Sequence, residues 1–525
     1  MSQPSWAKRN LELLTELAGT IVVLLVRLWF GRHLTFCGTP DSCAYLALAE
    51  SLSNHHGFVE HFLYDFQVDN IQLPTHGIEY WLPGTSFFLL LAKPFGGVTL
   101  YSSIVISTLV GVFLSIAAWK IAMNTWGDRR IACASYLLCV VLPPMWIGSI
   151  TPDSALFYAA FVGWFLALFR VKFRSYTEDV LALLCLVIAN LIRNDVVLLL
   201  VPMVVVLSLR WRSVGKRGVS PSYCAVVLVA FFAAMIPMHL IDYAVLGHAF
   251  PSGASKVLYM NDLSDMSKYN EPATLHSMLS VGVSTLVKMR VAAFPLIVYR
   301  IVFLMIGFAA IFIPALGLRR EGREGERAPE IAGGAAFAIT LVLVYSFVLP
   351  AIGSFSALRS FGALLPLSAV LIMAGVRWVS GASRTAAYLA GASVLFYFVA
   401  GTMEDRRTVP EMNEIGSKDR LVASFLAGRG VGPAGGSLIM TGDPAQFSET
   451  TAYPAIPLPE NGLVAARQAA DDLGATHVLI DTDKLKATMA EVRSTMDATD
   501  LSPVPKTQIV VVTLRRHTES KAKLN

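Results

Sequence analysis

The sequence predicts an α-helical polytopic membrane protein that carries a small α/β domain at its C-terminal end. Three observations predict it. Hydrophobic residues make up 55% of 525 positions and charged residues only 15%, too little polar surface for a soluble globule of this length. The mean hydropathy of +0.58 is not spread evenly: apolar stretches of spanning length alternate with short basic runs up to about residue 402. Beyond that point polar residues dominate and the pattern changes period.

Taken in order, the candidate spans lie near 13–30, 99–120, 131–149, 154–170, 177–192, 195–211, 222–244, 291–318, 331–352, 361–379 and 385–402, about 11 transmembrane helices. The first is followed by no small-residue cleavage site, so it reads as a retained helix. Lys and Arg fall on alternate connections: Lys8 and Arg9, Arg129 and Arg130, Arg170 to Arg174, Arg210 to Arg217, Arg319 to Arg327, and Arg377 with Arg384. The positive-inside rule makes those connections cytoplasmic, predicting a multi-pass protein of the cell membrane with a cytoplasmic N-terminus and an extracytoplasmic C-terminal domain. The net charge of +5 is thus topological and gives no reason to expect nucleic acid as a partner.

Every unusual polar feature then falls on the other side. The first exoplasmic loop, 31–83, is about fifty residues long, which suits a functional loop better than a connection. It opens on Thr39-Pro40-Asp41-Ser42-Cys43-Ala44-Tyr45 and closes on Glu79-Tyr80-Trp81-Leu82-Pro83-Gly84, with four of the ten histidines between, His55, His56, His61 and His76. Helical spacing after Pro40 puts Asp41 in a first turn, where the helix dipole favours a carboxylate and where a capping role competes with a chemical one. Leu82 to Phe95 is apolar on one side and too short to span, so it is expected along the outer interface. Asp153, in the very short Thr151-Pro152-Asp153-Ser154 connection, is either a helix cap or an acid at the mouth of a cavity. Arg193-Asn194-Asp195 splits an apolar run and offers either a cation or an internal ion pair. The segment 245–290 is long enough for a lid, and its Lys256 is a candidate anion ligand. Arg359 starts a helix from the outer side against the charge bias; it is a phosphate ligand or a residue reaching to lipid headgroups. Cys37 and Cys43 flank Asp41 and are either paired, if that side is oxidising, or free thiols.

In the tail, Ser437–Thr441, His477–Ile480 and Gln508–Leu514 read as buried strands, and Leu463–Leu473 and Lys484–Met496 as helices. The chain therefore divides into a transmembrane module, 1–402, and a soluble exoplasmic domain, 403–525. Gly428-Arg429-Gly430-Val431-Gly432 follows no strand and reads as a turn, not a phosphate loop.

The order of these features resembles the GT-C superfamily of polytopic glycosyltransferases, family 39 and its relatives, the protein O-mannosyltransferases and lipid A aminoarabinose transferases. The resemblance rests on Pro40-Asp41-Ser42-Cys43-Ala44-Tyr45-Leu46, Tyr80-Trp81-Leu82-Pro83, Thr151-Pro152-Asp153-Ser154, Leu191-Ile192-Arg193-Asn194-Asp195, Leu246-Gly247-His248-Ala249-Phe250-Pro251-Ser252-Gly253, Arg359-Ser360-Phe361-Gly362-Ala363-Leu364-Leu365-Pro366 and Ile439-Met440-Thr441-Gly442-Asp443-Pro444. It implies a GT-C-like module that moves a sugar, with inversion, from a polyprenyl-phosphate donor to a hydroxyl of a lipid, glycan or protein acceptor. Asp41 matches the family's general base and Asp153 its second acid. Departing lipid phosphate needs cations, for which Arg359, Lys256 and Arg193 are candidates. Tyr45, His55, His61, Glu79, Tyr80 and Trp81 are the expected pocket residues. Many relatives carry two adjacent acids where this chain has Asp41-Ser42, which weakens the case for a divalent metal cofactor. The loop histidines and Glu79 are too irregularly spaced to favour a metal site. The other readings are an oligosaccharyl or O-antigen-ligase-type transferase and a non-enzymatic lipid-glycan transporter.

Overall fold

A computed structural model describes residues 6–68, 71–142, 148–212, 219–250, 255–300, 324–351, 359–380, 384–483 and 487–515. Its helices are α1 (Trp6–Gly31), α2 (Pro40–Ser53), α3 (Gly84–Leu89), α4 (Leu100–Trp126), α5 (Arg129–Val141), α6 (Ser154–Leu168), α7 (Tyr176–Ile192), α8 (Leu200–Arg212), α9 (Pro221–Ala233), α10 (Ile236–Leu246), α11 (Leu275–Ser280), α12 (Val283–Arg300), α13 (Glu324–Leu343), α14 (Leu365–Ser380), α15 (Arg384–Gly428), α16 (Pro444–Thr451), α17 (Leu463–Leu473) and α18 (Met489–Thr495). Strands are β1 (Val59–Glu60), β2 (Thr75–His76), β3 (Ile439–Thr441), β4 (Ala455–Pro457), β5 (His477–Asp481), β6 (Ala498–Pro503) and β7 (Ile509–Leu514). Among the described residues, six helical runs are long and apolar enough to cross a membrane, and Ser154–Leu168 is a shorter apolar helix. The protein is a polytopic helical membrane protein with a small C-terminal sheet. The expected spans near 131–149 and 291–318 lie partly outside the described residues.

The ends of these helices follow local chemistry. Thr99 caps α4 and exchanges side-chain and backbone bonds with Ser102, a capping box that satisfies two donors otherwise left open. Gly127 at a φ of +64° closes that helix, in the left-handed conformation that costs a Cβ-bearing residue energy. α15 runs for 45 residues without a break despite Pro410. At 1.5 Å per residue that is about 67 Å, twice the hydrocarbon core, so it passes through position 402 and projects well beyond the bilayer. Its outer part grips the start of the first loop: Asn413 accepts from the Thr35 backbone at 2.7 Å and donates to the His33 carbonyl at 2.7 Å.

The sheet has the order β4-β3-β5-β7-β6, parallel over the first three strands and antiparallel over the rest. β3, β5, β7 and α17 fall where the sequence puts them. β4 and β6 were not expected, because three residues ending in Pro457 and a strand carrying Asp500 and Pro503 lack an apolar run. β4 is not left open. The Leu63 amide donates to the Ala455 carbonyl at 2.9 Å and the Ala455 amide to the His61 carbonyl at 3.1 Å, so the first loop forms a single parallel β-bridge, Phe62 to Ala455, along the sheet's edge. One apolar core runs from Phe157, Phe161 and Phe361 in the helices to Phe447, Tyr453 and Ala455 in the sheet domain. Gly430, at a φ of +77°, lies in the turn after α15, as the glycine-rich pattern predicts.

Candidate active site

Asp41 is aimed by the first turn of α2. Thr39, not Asp41, caps that helix, accepting from the Ser42 amide at 3.1 Å, and Pro40 takes the first helical position, where its missing N–H costs nothing. With the cap filled, the Asp41 carboxylate is available elsewhere. Cys37 and Cys43 form a disulfide, with Cα atoms 5.1 Å apart, that closes the chain around the turn. Gly38 between them has a φ of +98°, and a Cβ there would lie 2.6 Å from Thr151 Cγ2. A side chain at Gly38 would push the first loop off the 151–153 connection. That close approach brings the two acids together.

Asp153 does two things at once. Its Oδ1 caps α6, accepting from the Ala155 amide at 2.9 Å, while its Oδ2 faces Arg359 Nη2 at 3.1 Å. Arg359 Nη1 pairs with Asp41 Oδ2. Two carboxylates from opposite parts of the chain therefore share one guanidinium, both largely buried and the arginine one quarter exposed. Burial pushes the Asp41 carboxyl above the ordinary carboxylate range; Arg359 opposes this, Asp153 adds to it and Arg193 opposes it.

Arg193 stands beside the pair, with its fork engaged. Its Nε and Nη2 donate to Asp195 Oδ2 at 2.8 and 2.7 Å, and Nη1 reaches Ser154 Oγ at 3.5 Å. Asp195 also accepts from Ser360, whose hydroxyl lies 2.8 Å from that of Tyr345. The internal ion pair weighed for Arg193-Asn194-Asp195 thus forms, and its aspartate is tied to the residue that follows Arg359. Gly84 allows α3 to press on the end of α7: a Cβ there would come within 2.5 Å of the Leu191 carbonyl oxygen.

Tyr45 is buried near Asp41, Asp153, Ser154 and Arg193, and burial raises its hydroxyl pKa. Trp81 and Tyr80 pack edge-on or tilted against Tyr64 and each other, at centroid separations of 4.2 Å (Tyr64–Trp81), 4.7 Å (Tyr64–Tyr80) and 5.0 Å (Tyr80–Trp81). The Trp81 indole N–H is buried beside Asp41, with no hydrogen bond of ordinary geometry among the described residues. Tyr64 and Tyr80 stand within electrostatic reach of both Asp41 and Asp65. Burial pushes Asp65 up to about 7 against the Gln67 amide and Lys256.

Lys256 belongs to this second group. Its Nζ donates to the Gln67 carbonyl at 2.5 Å, while the Gln67 side chain donates to the Asp265 carbonyl and accepts from the Ala273 amide, each at 2.8 Å. The 255–273 part of the expected lid is therefore stitched to the first loop; 251–254 and 352–358 lie outside the described residues. Glu79 is buried. His55 and His61 are exposed and are not brought to the pair: His55 follows the far end of α2, about 20 Å along the helix from Asp41, and His61 lies beside the bridge to Ala455. No group of three or more His, Cys, Asp or Glu side chains disposed to hold a metal occurs among the described residues. A cation between Asp41 and Asp153 would have to displace Arg359. Sequence reasoning gave no role to Ser360, Tyr345, Tyr64 or Asp65, which carry no spacing signal; Asp195 was visible only as half of an ion pair.

No family model matches the sequence, and a search of curated proteins returns no match. Among solved structures, the chain is similar to ArnT from Cupriavidus metallidurans bound to undecaprenyl phosphate, with a TM-score of 0.58 and 13% identity over 95% of this chain and 97% of that one. The apo form of the same protein gives 0.56 and 14%, over 97% and 98%. The oligosaccharyltransferase of Archaeoglobus fulgidus in complex with Zn and sulfate gives 0.51 and 13%, over 87% of this chain and 68% of that one. At these identities the likeness concerns the fold, and the chain has the GT-C fold.

Proposed function

We propose that this chain moves one sugar from a polyprenyl-phosphate donor to an acceptor hydroxyl on the outer face of the membrane, with inversion. The observation that carries the reading is the convergence of Asp41, Asp153 and Arg359, three residues from distant parts of the chain, in the fold of a protein described bound to undecaprenyl phosphate. In the step proposed, the acceptor oxygen attacks the anomeric carbon and its proton passes to Asp41. The bond from that carbon to the donor phosphate oxygen breaks, and polyprenyl phosphate leaves as an anion. A general base in hydrogen-bond reach contributes on the order of 10²–10⁴ in rate, and the raised affinity of a buried carboxylate for protons suits it to accept one.

Arg359 is the cation assigned to the leaving phosphate, since a guanidinium gives planar, bidentate contacts. In the resting site it also opposes the effect of burial on the Asp41 carboxyl. Asp153 shares its charge and orients the acceptor; Arg193, held by Asp195, adds positive field behind the pair, and Lys256 does the same at the loop. Tyr45, Tyr80 and Trp81 offer apolar faces to a sugar ring. The disulfide on this face supports an oxidising, extracytoplasmic side, with the N-terminus opposite.

The test is a panel of labelled polyprenyl-phosphate sugars offered to the purified full-length protein. One monosaccharide donor is expected to be consumed, with the product anomer opposite to the donor's. Consumption of only a lipid-linked oligosaccharide would replace this reading with the oligosaccharyl one. Movement of intact donor across vesicles without chemistry would replace it with a transporter.

A further inference from the structure

On the membrane face opposite the carboxylate pair, α1, α5, α14 and α15 surround a cavity of about 1000 Å³. Its deep end is closed by Val23, Val141 and Phe398, all apolar. Its flanks open sideways, because Leu14, Val22 and Leu395, which also line it, are 60%, 51% and 62% exposed. From Arg130 to Val141 the cavity follows α5 for about 16 Å, close to half of a hydrocarbon core about 30 Å thick. Its dimensions are those of one leaflet, and a lateral opening onto hydrocarbon admits a lipid chain.

The four charged residues in its lining all fall at one end. Asp128 and Arg377 pair with each other and cancel. That leaves Arg130 and Glu16, which the helical rise places within about one turn of each other along the bundle. Arg130 is exposed and forms no ion pair among the described residues. One carboxylate oxygen of Glu16 is buried with no hydrogen-bond partner among the described residues. A buried, unpartnered carboxylate oxygen carries a desolvation cost that a cationic donor relieves. An anionic lipid would meet Arg130 but leave Glu16 repelled.

We infer that this cavity binds a zwitterionic aminophospholipid, its acyl chains in the apolar groove, its phosphate on Arg130 and its primary ammonium on Glu16. A trimethylammonium head has no N–H to give Glu16, so a choline headgroup fits less well than an ethanolamine. The inference does not depend on the transferase reading, since none of these residues lies near Asp41.

Native mass spectrometry of the purified full-length chain, loaded from mixed micelles of phosphatidylethanolamine, phosphatidylcholine and phosphatidylglycerol, tests it. One retained phosphatidylethanolamine is expected, with Arg130→Ala and Glu16→Gln each lowering its retention about tenfold, the size of one charged hydrogen bond. A Cβ built on Gly391, which also lines the cavity, meets no atom within 4 Å. Gly391→Leu therefore fills the groove without disturbing the helices and abolishes retention, with an unchanged melting temperature in lipid-free detergent. Equal retention of the three lipids, retention of phosphatidylglycerol or an added polyprenyl phosphate in preference, no retention by the unaltered chain, or undiminished retention by Gly391→Leu would each overturn the inference.

Discussion

Both ends of the helical bundle carry buried carboxylates and arginines, yet the two ends are wired differently. In the cluster at the basic end of α7 the acids are matched: Asp179 takes two donors from Arg210 at 2.6 and 3.0 Å and a third from Tyr223. Glu178 takes Arg170 at 2.8 Å and Lys120 at 3.1 Å, and Arg210 donates onward to the Arg170 carbonyl at 2.5 Å while lying over Phe169. At the other end one guanidinium serves both Asp41 and Asp153, and the buried Trp81 indole N–H beside them makes no hydrogen bond of ordinary geometry among the described residues. Carboxylates paired in this way hold helices together and have little left to offer a ligand. A shared guanidinium leaves hydrogen-bonding capacity unfilled, which is what a site that exchanges its partners during a reaction requires.

Removing a charge at each end should therefore give opposite results. Asp41→Asn is expected to reduce sugar transfer on the order of 10²–10⁴-fold with thermal stability little changed; retained turnover, measured with a labelled donor, would break the comparison by removing Asp41 from the mechanism. Arg359→Ala should weaken the donor more than the acceptor, on the order of 10²-fold in transfer, and equal donor affinity in a competition assay would return Arg359 to a purely structural role. Arg210→Met at the basic end leaves Asp179 buried and unpaired, so a loss of about 3–5 kcal/mol is expected, seen as a lower melting temperature in detergent. Activity per folded molecule should be unaffected there. A specific activity that fell with stability would show that the two ends are coupled.

A third buried region sharpens the contrast at smaller amplitude. Where the sheet domain meets the first loop, burial pushes Glu449 up to about 8 and raises Glu60, each further raised by a neighbouring acid. A carboxyl whose folded value lies above its unfolded value holds its proton better when docked. The junction is therefore most stable below the ordinary glutamate value of 4.5 and weakens as pH rises from there to about 8. The protection of the α2 and α16 amides, relative to their intrinsic exchange rates at each pH, should fall over that range, and Glu449→Gln should flatten the dependence.

Several of these features were legible in the sequence because they are local. Apolar length gave the spanning helices, short apolar runs gave β3, β5 and β7, and alternating basic connections separated the two faces. Asp41 and Asp153 were singled out from their places at helix starts, and Arg359 from its position against the charge bias. What the chain could not state is who meets whom. Asp41 and Arg359 are joined only after the bundle closes, as are Asp195 and Ser360, because no period or cap relates residues that far apart. The same holds for Lys256, which local chemistry marks as a loose cation and which the fold binds to Gln67. It holds too for the bridge from Phe62 to Ala455, whose two sides lie nearly four hundred residues apart. Composition and periodicity act over a few turns of backbone, where the solvent and the peptide group set the rules; a shared guanidinium depends on the path of the whole chain.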